Sequence, residues 1–109
     1  MFKLVPNPTF KTIVNLSVPE FKGTAEVTFE FKYKNKEELD KWFAANKNKT
    51  TTEALVGLIA SWSGVSAEDD TEIAFSKDHL KELLKNYPRA GQEILTAYIN
   101  ALSESRAKN

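Results

Sequence analysis

The chain has 109 residues, with 15 basic and 15 acidic side chains, one histidine and no cysteine. That length suits one domain with one modest core. Balanced charge argues against a general nucleic-acid binder, and the lack of cysteine excludes disulfides, thiol catalysis and cysteine-based zinc sites.

Apolar residues make up 41% and charged residues 28%, an ordinary globular composition. The start, Met1-Phe2-Lys3-Leu4-Val5-Pro6-Asn7-Pro8, has no secretory pattern. No apolar run approaches the roughly 18–20 residues that span a bilayer. A cytoplasmic protein is expected.

Phe2 to Phe10 must be extended, because Pro6 and Pro8 disfavour helix and bias their predecessors toward β geometry. Lys11 to Val18 carries Ile13, Val14, Leu16 and Val18 and reads as a strand. Pro19 to Gly23 supplies turn residues. From Thr24 the period is two: Ala25, Val27, Phe29, Phe31 and Tyr33 face one way, and polar residues face the other. The two strands should form an antiparallel hairpin whose aromatic face needs helices over it.

Asn35 with Glu38 has capping-box spacing, and Leu39, Trp42 and Phe43 follow at helical intervals, so a helix runs to about Asn46. Thr50 to Glu53 repeats the capping signal. Ala54, Leu55, Leu58, Ile59 and Trp62 predict a second helix, weakened by Gly57. Ser63 to Phe75 reads as a polar, acidic loop containing Glu68, Asp69, Asp70 and Glu72. It is either a solvated loop or a docking site for a basic partner. Ser76 is the expected N-cap of a third helix striped by Leu80, Leu83 and Leu84, which Tyr87-Pro88 ends. Pro88 can open a fourth helix carrying Ile94, Leu95, Tyr98, Ile99 and Leu102.

The expected fold class is therefore α+β, an N-terminal antiparallel β-hairpin or small sheet followed by about four α-helices packed on it. A single domain divides into an extended and β part (1–34), two helices (35–62), an acidic loop (63–75), a helical hairpin (76–105) and a tail (106–109).

No constellation with the spacing of an active site is apparent. His79 is expected to be an ordinary surface or boundary residue. Glu37-Glu38 sits in a helix first turn, where acids stabilise the dipole. The run 68–72 lacks the central glycine and alternating ligands of a calcium loop. No cofactor, metal or catalytic residue is predicted. Aromatics are the remaining signal. Phe29, Phe31 and Tyr33 suit a core, whereas Phe2, Phe10, Phe21 and Tyr87 lie in extended or turn segments and can anchor a partner. Trp62, Tyr87 and Tyr98 are expected to border a groove, such that Tyr98→Asp would abolish partner binding without unfolding the chain. Open sheet edges can accept a further strand, and self-association is possible.

Four stretches together resemble one family. FKLVPNPTFKTIVNLSVP, GTAEVTFEFKYKNKEEL, LVGLIASWSGV and FSKDHLKELLKNYPRAGQEILTAYINALSESRAKN are similar in order to the tail assembly chaperones of long-tailed bacteriophages and prophages. The last stretch matches a pattern carried by Leu80, Leu83, Leu84, Tyr87, Pro88, Ala90, Ile94 and Tyr98. Ala67 to Ile73 is longer and more acidic than the family pattern suggests. The resemblance implies a non-enzymatic protein of the bacterial cytoplasm. Such a protein binds and solubilises the tape measure protein, helps recruit tail tube subunits, and leaves before the particle is complete. The alternative is a minor structural component retained in the tail.

Overall fold

A computed structural model describes residues 2–19, 23–47 and 49–107, with side chains as far as Ser103 in the last helix. The expected turn at 19–23 and the end of the tail fall partly outside those residues, and the possible anchor Phe21 lies outside them. The chain order is β1 (Thr9–Ser17), β2 (Thr24–Lys32), α1 (Lys36–Asn46), α2 (Thr52–Val56), β3 (Ile59–Ser63), α3 (Lys77–Asn86) and α4 (Ala90–Ala107). The fold is α+β, as the sequence patterning predicts.

The three strands form one antiparallel sheet in the order β1-β2-β3. The β1/β2 hairpin runs from Thr9 opposite Lys32 to Ser17 opposite Thr24. Val14 and Leu16 on β1, and Val27, Phe29 and Phe31 on β2, are buried on one face. Neighbouring positions on both strands are more exposed, which is the alternation that the sequence displays.

The segment expected to be one long second helix is divided. Thr51 caps α2 through a bond from the Ala54 N–H to its Oγ1 (3.3 Å), and the helix stops at Val56. After Gly57 and Leu58 the chain becomes β3, pairing with β2. A bulge explains the misleading period. Phe31 opposes Ile59 while Glu30 opposes Ser61, so Ala60 is an extra residue. The bulge puts Ile59 and Trp62 on the same core face although they are three apart. Their spacing is helical, but the backbone is a strand.

Local chemistry sets the other helix ends. Asn35 Oδ1 accepts from the Glu38 N–H (2.8 Å), and Glu38 Oε1 accepts from the Asn35 N–H (3.0 Å), completing the capping box of α1. Lys47 closes α1 in the left-handed region (φ 49°). Ser76 Oγ accepts from the His79 N–H (3.1 Å) and caps α3. Pro88 precedes α4 and does not open it. It occupies the second position of a turn closed by the Ala90 N–H on the Tyr87 carbonyl (3.0 Å), where the fixed φ of proline suits the chain.

Helix α4 packs along β1 and α2 against β3, with α3 against both helices. Leu55, Leu58, Leu80, Ile94 and Tyr98 join the strand residues in one buried cluster. The Trp42 indole N–H donates to the Ala54 carbonyl (2.9 Å), tying α1 to α2. Tyr98 is fully buried and its hydroxyl donates to the Lys32 carbonyl at the end of β2 (2.8 Å). Its ring meets Phe31 edge-on at 5.0 Å and Phe10 at 5.7 Å. Burial, with lesser contributions from nearby Glu38 and Tyr33, pushes the Tyr98 phenol up to about 12. Tyr98 thus cannot meet a partner while the chain is folded, and Tyr98→Asp would bury a carboxylate in the core.

Two predictions follow from this packing. The Tyr98→Phe variant should be about 1 kcal/mol less stable than wild type near neutral pH, from loss of the buried bond to Lys32. The phenol pKa is raised from 10.0 in the fold. Its stabilising contribution is therefore complete below pH 10 and lost as pH rises toward 12. Urea unfolding of both proteins should show the wild-type advantage disappearing across that window. Gly91 lies at the start of α4, where a Cβ would come within 2.9 Å of Thr50 Oγ1 and 3.1 Å of the Thr50 carbonyl. Gly91→Ala should accordingly cost about 1–3 kcal/mol by overpacking, despite alanine's higher helix propensity. Calorimetry would check this.

Candidate partner-binding groove

The expected acidic loop is an ordered small hairpin. Ser66 pairs with Glu72 in an isolated antiparallel bridge, and the Ile73 N–H donates to the Val65 carbonyl (2.8 Å). The tip is closed by the Ala67 N–H on Thr71 O (2.9 Å) and the Asp70 N–H on Ala67 O (3.0 Å). Asp70 is left-handed (φ 64°), as a three-residue hairpin loop requires of its last residue. Asp69 Oδ1 accepts from the Thr71 N–H (3.1 Å), and hydrogen bonds from Thr71 hold its carboxyl below the usual carboxylate range. Glu72 accepts from the Gly64 N–H (3.2 Å).

Trp62 anchors this hairpin to the body of the molecule. Its indole N–H donates to the Ile73 carbonyl (2.8 Å), and its ring meets Phe29 and Phe75 edge-on. An open groove of about 1030 Å³ runs between the hairpin and α3. Trp62, Val65, Ile73, Leu83 and Tyr87 give it apolar lining, while Glu68, Asp69 and Glu82 add negative charge. Among the described residues, no lysine or arginine lines it. Apolar floors with charged margins suit an amphipathic segment of opposite charge.

The candidate anchors occupy three separate places. Trp62 and Tyr87 share the groove, Trp62 almost wholly buried and Tyr87 half-buried. Phe10 is half-buried against Phe31 and Tyr98 in the core. Phe2 stands in solvent on the segment before β1. Sequence reading missed Ile73 as a lining residue. Its only signal is a large aliphatic side chain directly after the acidic run 68–72.

His79 also borders the groove. Its Nδ1 lies 2.9 Å from the Ala74 carbonyl, and Ser76 Oγ is occupied as a helix cap. Among the described residues, no three histidine or acidic side chains cluster closely enough to hold a metal ion. No helix among them is long and apolar enough to cross a membrane.

These features define a small α+β protein whose distinctive parts are surfaces: an acid-margined groove, an ordered acidic hairpin and an exposed apolar segment. The family model for phage tail assembly chaperones matches residues 1–109, and the chain belongs to that family. No curated protein and no solved structure matches it.

Replacing the left-handed Asp70 with glycine should relieve backbone strain at the hairpin tip. Asp70→Gly is expected to stabilise the protein by about 0.5–1 kcal/mol, read as a higher midpoint in urea.

Proposed function

We propose that this chaperone acts without catalysis in the host cytoplasm. It keeps the tape measure protein of its phage soluble and helps recruit tail tube subunits to it. The groove between the acidic hairpin and α3 carries the reading. It would take one amphipathic helix of the tape measure protein, with leucine-type side chains against Val65, Ile73, Leu83 and Tyr87. Lysine or arginine at the helix margins would face Glu68, Asp69 and Glu82. Burial of the apolar stripe supplies affinity, and the charged margin supplies orientation and fast encounter. The charge term is screened by salt, which suits a partner that must later be released to tube subunits.

Co-expression with the tape measure protein, followed by size-exclusion chromatography, tests the reading. The partner should be insoluble alone and co-elute with the wild-type chain. The Leu83→Asp variant, altered at a half-buried groove position, should lose co-elution. The exposed pair change Glu68→Lys with Asp69→Lys should weaken binding at least tenfold at low salt, and less at high salt. Retention of full affinity by both variants, with their folds intact, would overturn the groove assignment.

A further inference from the structure

Four large apolar side chains stand in solvent among the described residues: Phe2 (88% exposed), Leu4 (93%), Val5 (77%) and Ile13 (56%). Three lie on the arm before β1, and the fourth lies on β1 itself. The outer side of β1 is a sheet edge, since the strand order is β1-β2-β3.

The hydrogen-bond alternation shows which groups that edge offers. The Tyr33 N–H donates to the Pro8 carbonyl (2.8 Å) across the β1/β2 register. Even-numbered residues of β1 therefore exchange bonds with β2, and odd-numbered ones turn their N–H and C=O outward. Ser17 confirms the parity, because its outward N–H is met by Glu93 Oε1 of α4 (3.0 Å). Thr9, Lys11, Ile13 and Asn15 present the rest of the row. Beside it, an open groove of about 460 Å³ lies between β1 and α4, lined by Thr12, Val14, Gln92, Thr96 and Asn100 among others.

The arm has the complementary parity. Its prolines are residues 6 and 8, both even. They remove the donors that the arm would need to lengthen its own hairpin. Lys3, Val5 and Asn7 keep the donors that an added strand would use. Pro6 and Pro8 fall where a ladder with that strand needs none.

We propose that two copies pair arm to edge about a twofold axis at Thr9, with residues 3–9 of each antiparallel to residues 9–15 of the other. Val5 then lies opposite the second copy's Ile13, Asn7 opposite Lys11, Lys3 opposite Asn15, and Leu4 opposite Val14. Apolar meets apolar, and no like charges face each other. Leu4 and Phe2 turn to the face on which α4 packs, toward the groove beside β1, while Val5 joins Ile13 on the outer face. One contact covers all four exposed side chains. Shifting the register by two residues sets Val5 opposite Lys11 or Asn15, which loses the match. The product is a closed dimer with a continuous six-stranded sheet, three strands from each copy.

The absence of native cysteine allows a direct test. Val5→Cys and Ile13→Cys variants are purified separately, mixed and oxidised. A disulfide should join one variant to the other far faster than either joins to itself, because opposed Cα atoms at about 5.5 Å fit a disulfide. Sedimentation equilibrium of the unaltered chain should give twice the monomer mass, and Leu4→Asp should halve it with an unchanged circular dichroism spectrum. A wild-type monomer at every concentration, or preferential self-joining of the Ile13→Cys variant, would overturn the proposal.

Discussion

The packing of Tyr98 against the sheet is the constraint on which the rest of the structure depends. A hairpin of two strands is marginal in water, and this one exposes an aromatic face unless something covers it. Helix α4 provides that cover, and Tyr98 fixes its position. The ring sits edge-on to Phe31, and the hydroxyl reaches the Lys32 carbonyl at the end of β2. Its neighbours Ile94 and Leu95 are buried on the same helix. In the first turn of α4, Glu93 holds both the backbone N–H and the hydroxyl of Ser17 at the far end of β1. The helix is thus clamped to both ends of the hairpin. A residue so placed serves the fold and is not available to a partner.

The groove proposed for binding follows from how the chain leaves the sheet. Trp62, next to last in β3, lies on the core face because of the bulge at Ala60, and from there its indole N–H can reach Ile73. The bond pins the base of the acidic hairpin, whose tip is closed by its own backbone bonds and by Asp69. The hairpin and α3 become the two walls of one groove. Negative charge concentrates there although the whole chain carries equal numbers of acidic and basic residues. The features that a binding reading needs are therefore consequences of packing in the core.

Much of the fold was legible in the sequence, for physical reasons that differ by segment. The period of two from Thr24 to Lys32 identified the central strand because one face is buried and the other wet. Asn35 with Glu38, and Ser76, identified two helix starts, since capping chemistry is local. Ile59 and Trp62 misled because a bulge gives strand residues a helical spacing, and nothing local distinguishes the two. Pro88 misled by a shorter distance, as both a turn and a helix start tolerate it. The groove was half legible. Trp62 and Tyr87 were recognisable as aromatics near a boundary, but their meeting depends on the fold of residues 63–75, which reads as a polar, acidic loop without a strand pattern. The burial of Tyr98 could not be separated from exposure on an amphipathic stripe, because that stripe shows which residues share a face and not which neighbour covers it.

Hydrogen exchange of the chaperone, alone and mixed with the tape measure protein proposed as its partner, tests the central claim most directly. Backbone amides of the hairpin from Gly64 to Ile73, and of α3 from Leu83 to Asn86, should gain protection on binding, while the outer residues of α1 stay unchanged. Protection confined to α1, with the hairpin and α3 exchanging as in the free protein, would contradict the account.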